Sequence, residues 1–503
     1  MYNPPATASH IQMASKFQIN SPLGQIANWV ERHRWIVAAI FALLLAIQIT
    51  PEFKMSPDGV SYMSIAKSLI ARGRLERLGS PHLRYAPGYP IFISPAFVFG
   101  ARPFVAVQLL QWIYALVLML GVYRWFARYA GRSAIWIAAL TMAGAGYWDL
   151  FRTASSEIVF TPCLIWAGVF MAKSFDTPTS IAAIALAILL AAIACATRQA
   201  GAMLVPGSLL AAILHARRGR VPWPRALAIA AAFSISIAAA SAALIAFDHW
   251  GIRQVASGDT GYTAIFFNPT RSLTGQIAEG ARRQIAEIGR LLIPGMWKTH
   301  SREHEFLNIN NLIYAAVFIP VSVGWWKFCR ATTDPLALAL PFFITLYIVY
   351  PYDSGTRFTV PLFPVLAGSV WFLLESLADK RAAIFLLLTI VHALVAIGFW
   401  LDDAAHVRRR YQSWPEIQRV AASIPPQAKV IALRINAPRG DFDDRWMFLM
   451  CLTDRPVAPE TLTDPVPPFV DWIVTSPSEP IQLGFQPEAR VDDYRIEKRI
   501  SLK

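Results

Sequence analysis

The chain has 503 residues, of which 55% are hydrophobic and only 16% are charged, and its formal net charge is +14. A soluble protein would carry roughly 25% charged residues, so the composition excludes an ordinary soluble domain and indicates a membrane protein with many spans. The basic residues lie between apolar stretches and form no separate basic domain, which argues against nucleic acid as a partner. The positive charge instead suits membrane lipids or phosphorylated substrates.

Apolar stretches that could cross a bilayer, which takes about 17 to 25 residues, recur from Trp35 to Trp400. Several of them are short. We predict a polytopic α-helical membrane protein with about eleven transmembrane helices, at 35–50, 103–125, 133–147, 155–172, 181–194, 200–214, 225–247, 306–326, 335–350, 358–377 and 382–400.

Basic residues in the short loops predict the orientation, because cytoplasmic loops carry an excess of Lys and Arg. They fall on one side of the predicted bundle, at Arg32 with Arg34, Arg124 with Arg128 and Arg132, Arg217 with Arg218 and Arg220, Lys327 with Arg330, and Lys380 with Arg381. This predicts a cytoplasmic N-terminal segment at 1–34 and a transmembrane domain at 35–400, with external loops at 51–102 and 248–305. We expect a multi-pass protein of the plasma membrane, the inner membrane of a bacterium.

Two parts of the predicted external face have structure of their own. Apolar residues in the loop 248–305 recur near helical spacing with arginines between them, at Leu273, Ile277, Ile285, Ile288 and Leu292. This pattern predicts a helix on the membrane surface whose basic face binds lipid phosphates, or arginines that only snorkel over the headgroups.

The tail 401–503 is less apolar than the bundle and predicts a small extracytoplasmic α/β domain. Strands are expected at 428–433, 470–475 and 494–500, with a helix at 443–452.

The first external loop is the most informative stretch for chemistry. Ser56-Pro57-Asp58-Gly59 is a turn that leads into a helix, with Asp58 at or near the N-cap and Gly73 as a plausible stop. Other polar residues are predicted near the external ends of the spans, where charges are costly and usually functional. They are Arg84, Tyr85, Tyr89, Asp149, Arg152, Glu157, Arg198, Asp353 and Arg357.

Each of these residues also has a structural interpretation. Asp58 could only cap its helix, and Glu157 could only begin one, where an acid suits the helix dipole. The arginines could snorkel, and Tyr62, Tyr85 and Tyr89 could belong to an interfacial aromatic belt. No cofactor is assigned; His300 and His304, four residues apart and beside Glu303 and Glu305, are weak candidates for a divalent metal site.

The order of these residues resembles the GT-C class of membrane glycosyltransferases, in particular the branch of protein O-mannosyltransferases and lipid A aminoarabinose transferases. The matching features are Asp58 with Tyr62 and Ala66, the stretch 84–90, Ser156-Glu157 at the start of a span, T-R-Q-A-G around Arg198, and Arg357-Phe358 followed by two prolines. Two departures stand out. Gly59 replaces a second acid found in many relatives, and Arg84 stands where the aminoarabinose transferases often have lysine.

The resemblance implies a glycosyltransferase that takes a sugar from a polyprenyl-phosphate donor and passes it to a hydroxyl of a lipid, glycan or protein acceptor at the outer face. It implies Asp58 as the base of an inverting single displacement, with Glu157 as a second catalytic candidate. Substrate-binding candidates are Arg84, Arg198 and Arg357 for the lipid phosphate, and Tyr62, Tyr85 and Tyr89. The alternatives are a flippase or transporter of lipid-linked saccharides, which would favour charges near the midplane, and a polysaccharide polymerase or ligase.

Overall fold

The structure, a computed structural model, describes residues 22–78, 80–81, 86–99, 104–177, 180–254, 272–294, 309–350, 356–435, 445–453, 455–461, 470–482 and 485–500. Helices dominate the part of the chain before Tyr411. In chain order they are α1 (Pro22–Arg32), α2 (Arg34–Ala46), α3 (Pro57–Arg72), α4 (Gly88–Ile93), α5 (Phe104–Ala130), α6 (Ala134–Ala143), α7 (Ala145–Phe151), α8 (Glu157–Asp176), α9 (Ile181–Thr197), α10 (Leu204–Arg217), α11 (Trp223–Gln254), α12 (Leu273–Leu292), α13 (Ile309–Thr332), α14 (Pro335–Val349), α15 (Phe363–Leu373) and α16 (Ala378–Arg410). A short hairpin, β1 (Glu76–Arg77) and β2 (Ser80–Pro81), follows α3.

The predicted polytopic membrane fold is confirmed. Seven helical stretches within the described residues are long and apolar enough to cross a membrane, and four more are apolar but shorter. Each of the eleven predicted spans contains helix.

The predicted span 133–147 is not one helix. It stops at Ala143 and resumes at Ala145, because Gly144 has an extended backbone with ψ of 123°. The ring of Phe363 packs against Gly144, so that a Cβ there would lie 2.9 Å from a ring carbon. A tertiary contact, which the hydropathy of the segment does not reveal, therefore breaks this span.

Helix α3 has strong local start and stop signals. The N-cap is Ser56, whose Oγ accepts a hydrogen bond from the Gly59 amide at 3.0 Å, and Pro57 follows at the first helical position. Asp58 is thus the second helical residue rather than the cap, and its carboxylate is available for other contacts. Gly73 ends the helix with φ of +65°, as predicted.

The ends of α5, α10 and α13, which carry three of the five predicted basic groups, meet at one end of the bundle. Arg218 Nη2 donates to the carbonyl of Arg330 at 2.9 Å. Nearby, Asp334 caps α14 and accepts hydrogen bonds from Trp125 at 2.9 Å and Tyr129 at 2.6 Å. These contacts bring the ends of α5, α10 and α13 together; which side of the membrane they face stays a prediction.

Helix α12 forms where it was predicted, but its arginines do not make a basic face open to lipid. Arg282 is 8% exposed and donates to Glu279 at 2.6 Å, and Arg290 donates to Glu287 at 2.6 Å. The helix is packed into the bundle, with Gly280 against the carbonyl of Ile348. The expectation of a surface helix with free basic side chains is therefore wrong for these residues.

The predicted C-terminal α/β fold is also confirmed. It contains α17 (Trp414–Ser423), β3 (Ile431–Ile435), α18 (Arg445–Thr453), β4 (Val457–Thr461), β5 (Trp472–Thr475), β6 (Phe485–Val491) and β7 (Tyr494–Arg499). The described strands form a sheet of order β4-β3-β5-β7-β6, parallel where β3 meets β4 and β5 and antiparallel elsewhere.

The C-terminal fold shares a core with the start of the bundle. Trp414 and Phe448 pack on each other and belong to the same buried cluster as Phe104 of α5 and Val60 and Met63 of α3. Helix α3 therefore lies between the membrane helices and the C-terminal fold, and both sides fix its place.

Close packing of α13 on α15 provides a test of the bundle. A Cβ on Gly324 would collide with the carbonyl oxygen of Ser369, whereas one on Gly398 of α16 would meet nothing within 4 Å. We expect Gly324→Ala to destabilise the protein by about 2 kcal/mol and to lower its Tm in detergent by several degrees. Gly398→Ala is the matched control and should be neutral or stabilising by up to about 1 kcal/mol. Equal Tm values for the two variants would contradict this packing.

Candidate active site

Four charged side chains from distant parts of the chain meet where α3 and α8 begin. Arg357, in the 3-10 turn before α15, donates from Nη2 to Asp58 Oδ2 at 2.6 Å, and its Nε lies 3.8 Å from Glu157 Oε1. Arg198, between α9 and α10, donates from Nη1 to the same oxygen of Glu157. The order Asp58, Arg357, Glu157, Arg198 alternates in charge, and we call it the charge chain.

Glu157 is the buried centre of the charge chain. Its side chain is 1% exposed, and besides the two arginines it accepts hydrogen bonds from the hydroxyls of Ser155 and Ser156. A carboxylate removed from water is stable only with such partners. Its position as the first residue of α8 adds the favourable field of the helix N-terminus.

Arg198 and Arg357 also make cation–π contacts with the ring of Phe358, in addition to their ion pairs with carboxylates. The guanidinium carbon of Arg198 lies 4.0 Å from the ring centre of Phe358, and that of Arg357 lies 5.3 Å from it. Such cation–π contacts are worth up to about 2 kcal/mol when water is excluded. Burial is the largest single effect on the pKa of Arg198 and lowers it, but Glu157 and the other nearby groups together raise it by more, so the net shift is upward and the side chain stays charged.

Asp58 and Arg357 form the exposed end of the charge chain. The side chain of Asp58 is 26% exposed and that of Arg357 is 39% exposed. A substrate can therefore reach this pair, while Glu157 and Arg198 lie behind it. The arrangement offers one accessible carboxylate, which can accept a proton, beside guanidinium groups, which can bind an anion.

The tyrosines have different positions. The Tyr62 hydroxyl lies 3.5 Å from Ser156 Oγ, next to the charge chain. Tyr89 has no exposed surface; its ring meets that of Tyr62 edge to face at 5.0 Å, and its hydroxyl accepts a hydrogen bond from Gln111 at 3.2 Å. Tyr62 can border a substrate, whereas Tyr89 supports Tyr62 from behind.

Several predicted residues lie outside the described residues, namely Arg84, Tyr85, Asp353, His300 and His304. Their roles stay predictions. Within the part of the chain that the structure describes, no group of three or more His, Cys, Asp or Glu side chains could hold a metal ion.

Asp149 and Arg152 do not join the charge chain. They form a second cluster with two residues that the sequence did not single out, Lys54 and Asp403. We call these four residues the ion quartet. The sequence did contain a signal for both residues. Lys54 is a charged residue four positions before Asp58, and Asp403 is a charged residue just after the last predicted span.

The fold is that of the GT-C membrane glycosyltransferases, so the resemblance is confirmed at the level of the fold. No family model matches the chain, and no curated protein matches it. Solved structures do. ArnT from Cupriavidus metallidurans in the apo state matches with a TM-score of 0.56 at 12% identity, over 93% of this chain and 98% of that chain. The same protein bound to undecaprenyl phosphate matches with a TM-score of 0.52 at 11% identity over the same shares.

A third solved structure with this fold is archaeal. The oligosaccharyltransferase AglB from Archaeoglobus fulgidus, in complex with an inhibitory peptide and a dolichol-phosphate, matches with a TM-score of 0.51 at 12% identity, over 89% of this chain and 70% of that chain. At such low identity the likeness concerns the path of the chain, and the chemistry has to be argued from the residues.

The buried carboxylate gives a test of the charge chain. Arg198→Met should destabilise the protein by about 3 kcal/mol, because it leaves Glu157 buried with Arg357 as its remaining guanidinium partner. Adding Glu157→Gln removes the buried charge, so the double variant should melt at a higher temperature than Arg198→Met alone. The measurement is the Tm of purified protein in detergent.

The matched control for this test is Arg128→Met. Arg128 pairs with Asp176, whose side chain is 54% exposed, so the loss should be about 1 kcal/mol or less. A double variant that melts no higher than Arg198→Met would show that Glu157 does not depend on Arg198.

Proposed function

We propose that the protein is a membrane glycosyltransferase that moves a sugar from a polyprenyl-phosphate donor to a hydroxyl group of an acceptor at the outer face of the membrane. The observation that carries this proposal is the charge chain, which places the accessible carboxylate of Asp58 next to the guanidinium group of Arg357, with Arg198 behind it, within a GT-C fold. ArnT, a structural neighbour, has been solved with undecaprenyl phosphate bound, which supports a donor of this lipid class.

The proposed reaction is a single inverting displacement. The acceptor oxygen attacks the anomeric carbon, a new C–O bond forms, and the C–O bond between the sugar and the lipid phosphate breaks. The acceptor proton passes to the carboxylate of Asp58. The phosphate takes the electron pair of the broken bond, and Arg357 and Arg198 stabilise the charge that develops on it.

Glu157 has a different part in this scheme. Because it is 1% exposed, its carboxylate cannot accept the proton of an acceptor unless the site opens. It instead sets the position of both guanidinium groups, since one of its oxygens is shared between them. Two arginines held by one carboxylate remain close together despite their mutual repulsion.

Helix α8 supports the proposed orientation. Glu157 begins this helix at the charge chain, and Asp176 ends it beside Arg128, at the end of the bundle where the basic loops meet. A helix of this length spans about 30 Å, the thickness of the hydrocarbon core. If the basic end faces the cytoplasm, the charge chain and the C-terminal fold lie on the extracytoplasmic side, and the N-terminus lies inside.

The position of the charges also separates this proposal from a transporter. A transporter would favour charges near the midplane on interrupted helices, whereas Glu157 is the first residue of its helix and Asp58 the second of its own. The sugar and the acceptor can be named by mass spectrometry of surface glycolipids and glycans from cells with and without the protein.

The base assignment is tested by Asp58→Asn. The amide keeps the shape but cannot take the proton, so release of undecaprenyl phosphate from an undecaprenyl-phosphate sugar should fall about 10²- to 10⁴-fold. The measurement is a single-turnover assay with purified protein, with Tm as a check on folding.

Asp176→Asn is the control, since it alters an arginine-paired carboxylate at the other end of α8 and should keep wild-type turnover. Normal turnover by Asp58→Asn would exclude Asp58 as the base and would favour a polymerase or ligase that works through other residues. A flippase breaks no sugar–phosphate bond and would release no undecaprenyl phosphate in this assay.

A further inference from the structure

We propose that Lys54 is a positioning residue, which holds the carboxylate of Asp58 in place through the ion quartet. For its catalytic consequence the inference rests on the proposed function. Its structural part, that Lys54 fixes the start of α3, can be tested without any activity.

The ion quartet is a compact, neutral cluster of two bases and two acids. Lys54 Nζ lies 2.5 Å from Asp149 Oδ1 and 3.4 Å from Asp403 Oδ1, and Arg152 Nη1 donates to Asp403 Oδ2 at 2.6 Å. The side chain of Arg152 is 7% exposed. Burial lowers the pKa of Lys54, but Asp149 and Asp403 raise it by more, so Lys54 carries its charge at neutral pH.

The quartet completes a set of anchors on the segment that leads into α3. At its start, Gln108 accepts from the Thr50 amide at 3.2 Å and donates to the Thr50 carbonyl at 2.7 Å. Phe53 stacks on Phe104, with ring centres 5.7 Å apart, and Met55 is buried in the same cluster. The side chains on either side of Lys54 therefore enter the apolar core, while Lys54 reaches the quartet.

Lys54 supplies what the apolar anchors cannot. Burial of Phe53 and Met55 opposes withdrawal of the segment from the core, but the hydrophobic effect has no direction and resists a slide along the core only weakly. A charge-assisted hydrogen bond fixes distance and angle. Only Met55, the cap Ser56 and Pro57 separate Lys54 from Asp58, so a slide at Lys54 is passed on to the carboxylate.

The ion quartet is also connected to the buried part of the charge chain through the segment that carries Glu157. Arg152 comes five residues before Glu157, directly after α7, and Asp403 lies on α16, the helix that leads to the C-terminal fold. One neutral cluster thus links the segments that carry both carboxylates to the last membrane helix. A displacement of about 1 Å in such a site can cost 10²-fold in rate.

The structural test compares Lys54→Met with Lys54→Arg by hydrogen–deuterium exchange of the full chain in detergent. Lys54→Met removes the charge and should speed exchange of the first amides of α3, where the Gly59 amide bonds to Ser56 Oγ and the Val60 amide to the Ser56 carbonyl. Lys54→Arg should restore the wild-type rates. Unchanged exchange of these amides in Lys54→Met would overturn the inference, whether or not the protein transfers sugar.

The kinetic test measures kcat and the donor KM for the same variants. Lys54→Met should lower kcat about 10-fold, within the range expected of a misplaced group, and change the donor KM by less than about 3-fold, because it disturbs the base rather than donor binding. Lys54→Arg should recover most of kcat. Arg128→Met is the control and should leave kcat and the α3 exchange unchanged.

A double variant separates positioning from general weakening. In the Asp58→Asn background, Lys54→Met should cause no further loss of residual turnover, since the group it positions is gone. An equal fold-loss in both backgrounds would show that Lys54 only stabilises the fold. If Lys54→Met keeps full kcat while Asp58→Asn is inactive, the inference about Lys54 is wrong and the base assignment stands. If Asp58→Asn keeps full turnover, the base assignment is wrong.

Discussion

The structure of the site depends on one buried carboxylate. Glu157 lies at the start of α8 with 1% of its side chain exposed, and the guanidinium groups of Arg198 and Arg357 approach the same oxygen. The largely buried guanidinium group of Arg198 needs this carboxylate as its partner, and the carboxylate could not be buried without the two arginines. These ion pairs bring three distant segments of the chain together. Arg357 also pairs with Asp58, which adds the start of α3 to the site.

This constraint explains the division between the exposed and buried halves of the charge chain. The buried half, Glu157 with Arg198, is a fixed support with the Phe358 ring beneath it. The exposed half, Asp58 with Arg357, is where a substrate can enter. Preorganised charges of this kind are effective because they need no rearrangement when charge develops in a reaction. Helix α3 packs against the C-terminal fold, and Lys54 in the segment before it belongs to the ion quartet; the helix presents Asp58 to that opening.

Hydropathy and local signals predicted much of the fold. The apolar stretches, the start of α3 and its stop at Gly73, the helix α12 and the strands of the C-terminal fold all follow from patterns within a few residues. The break at Gly144 could not be predicted from such local patterns, because it depends on Phe363 far along the chain. The burial of the α12 arginines could not be predicted either. A basic amphipathic helix has the same sequence pattern whether its arginines pair with glutamates of the same helix or with lipid phosphates.

The sequence predicted which residues belong to the site, but it did not predict which acid pairs with which base. Polar residues at span ends drew attention to Asp58, Glu157, Arg198 and Arg357, and the structure brings these four together. The sequence placed Asp149 and Arg152 in the same group, since they lie in the same short stretch as Glu157. Which acid meets which base is decided by the packing of α7, α8 and α16, and no local pattern contains that information.

The most direct measurement is an experimental structure of the protein with undecaprenyl phosphate. If the charge chain is the donor site, the lipid phosphate binds Arg357 or Arg198 at about 3 Å, beside the carboxylate of Asp58. A phosphate bound instead at the opposite end of the bundle, near Arg218 and Arg330, with the charge chain unchanged, would contradict the account.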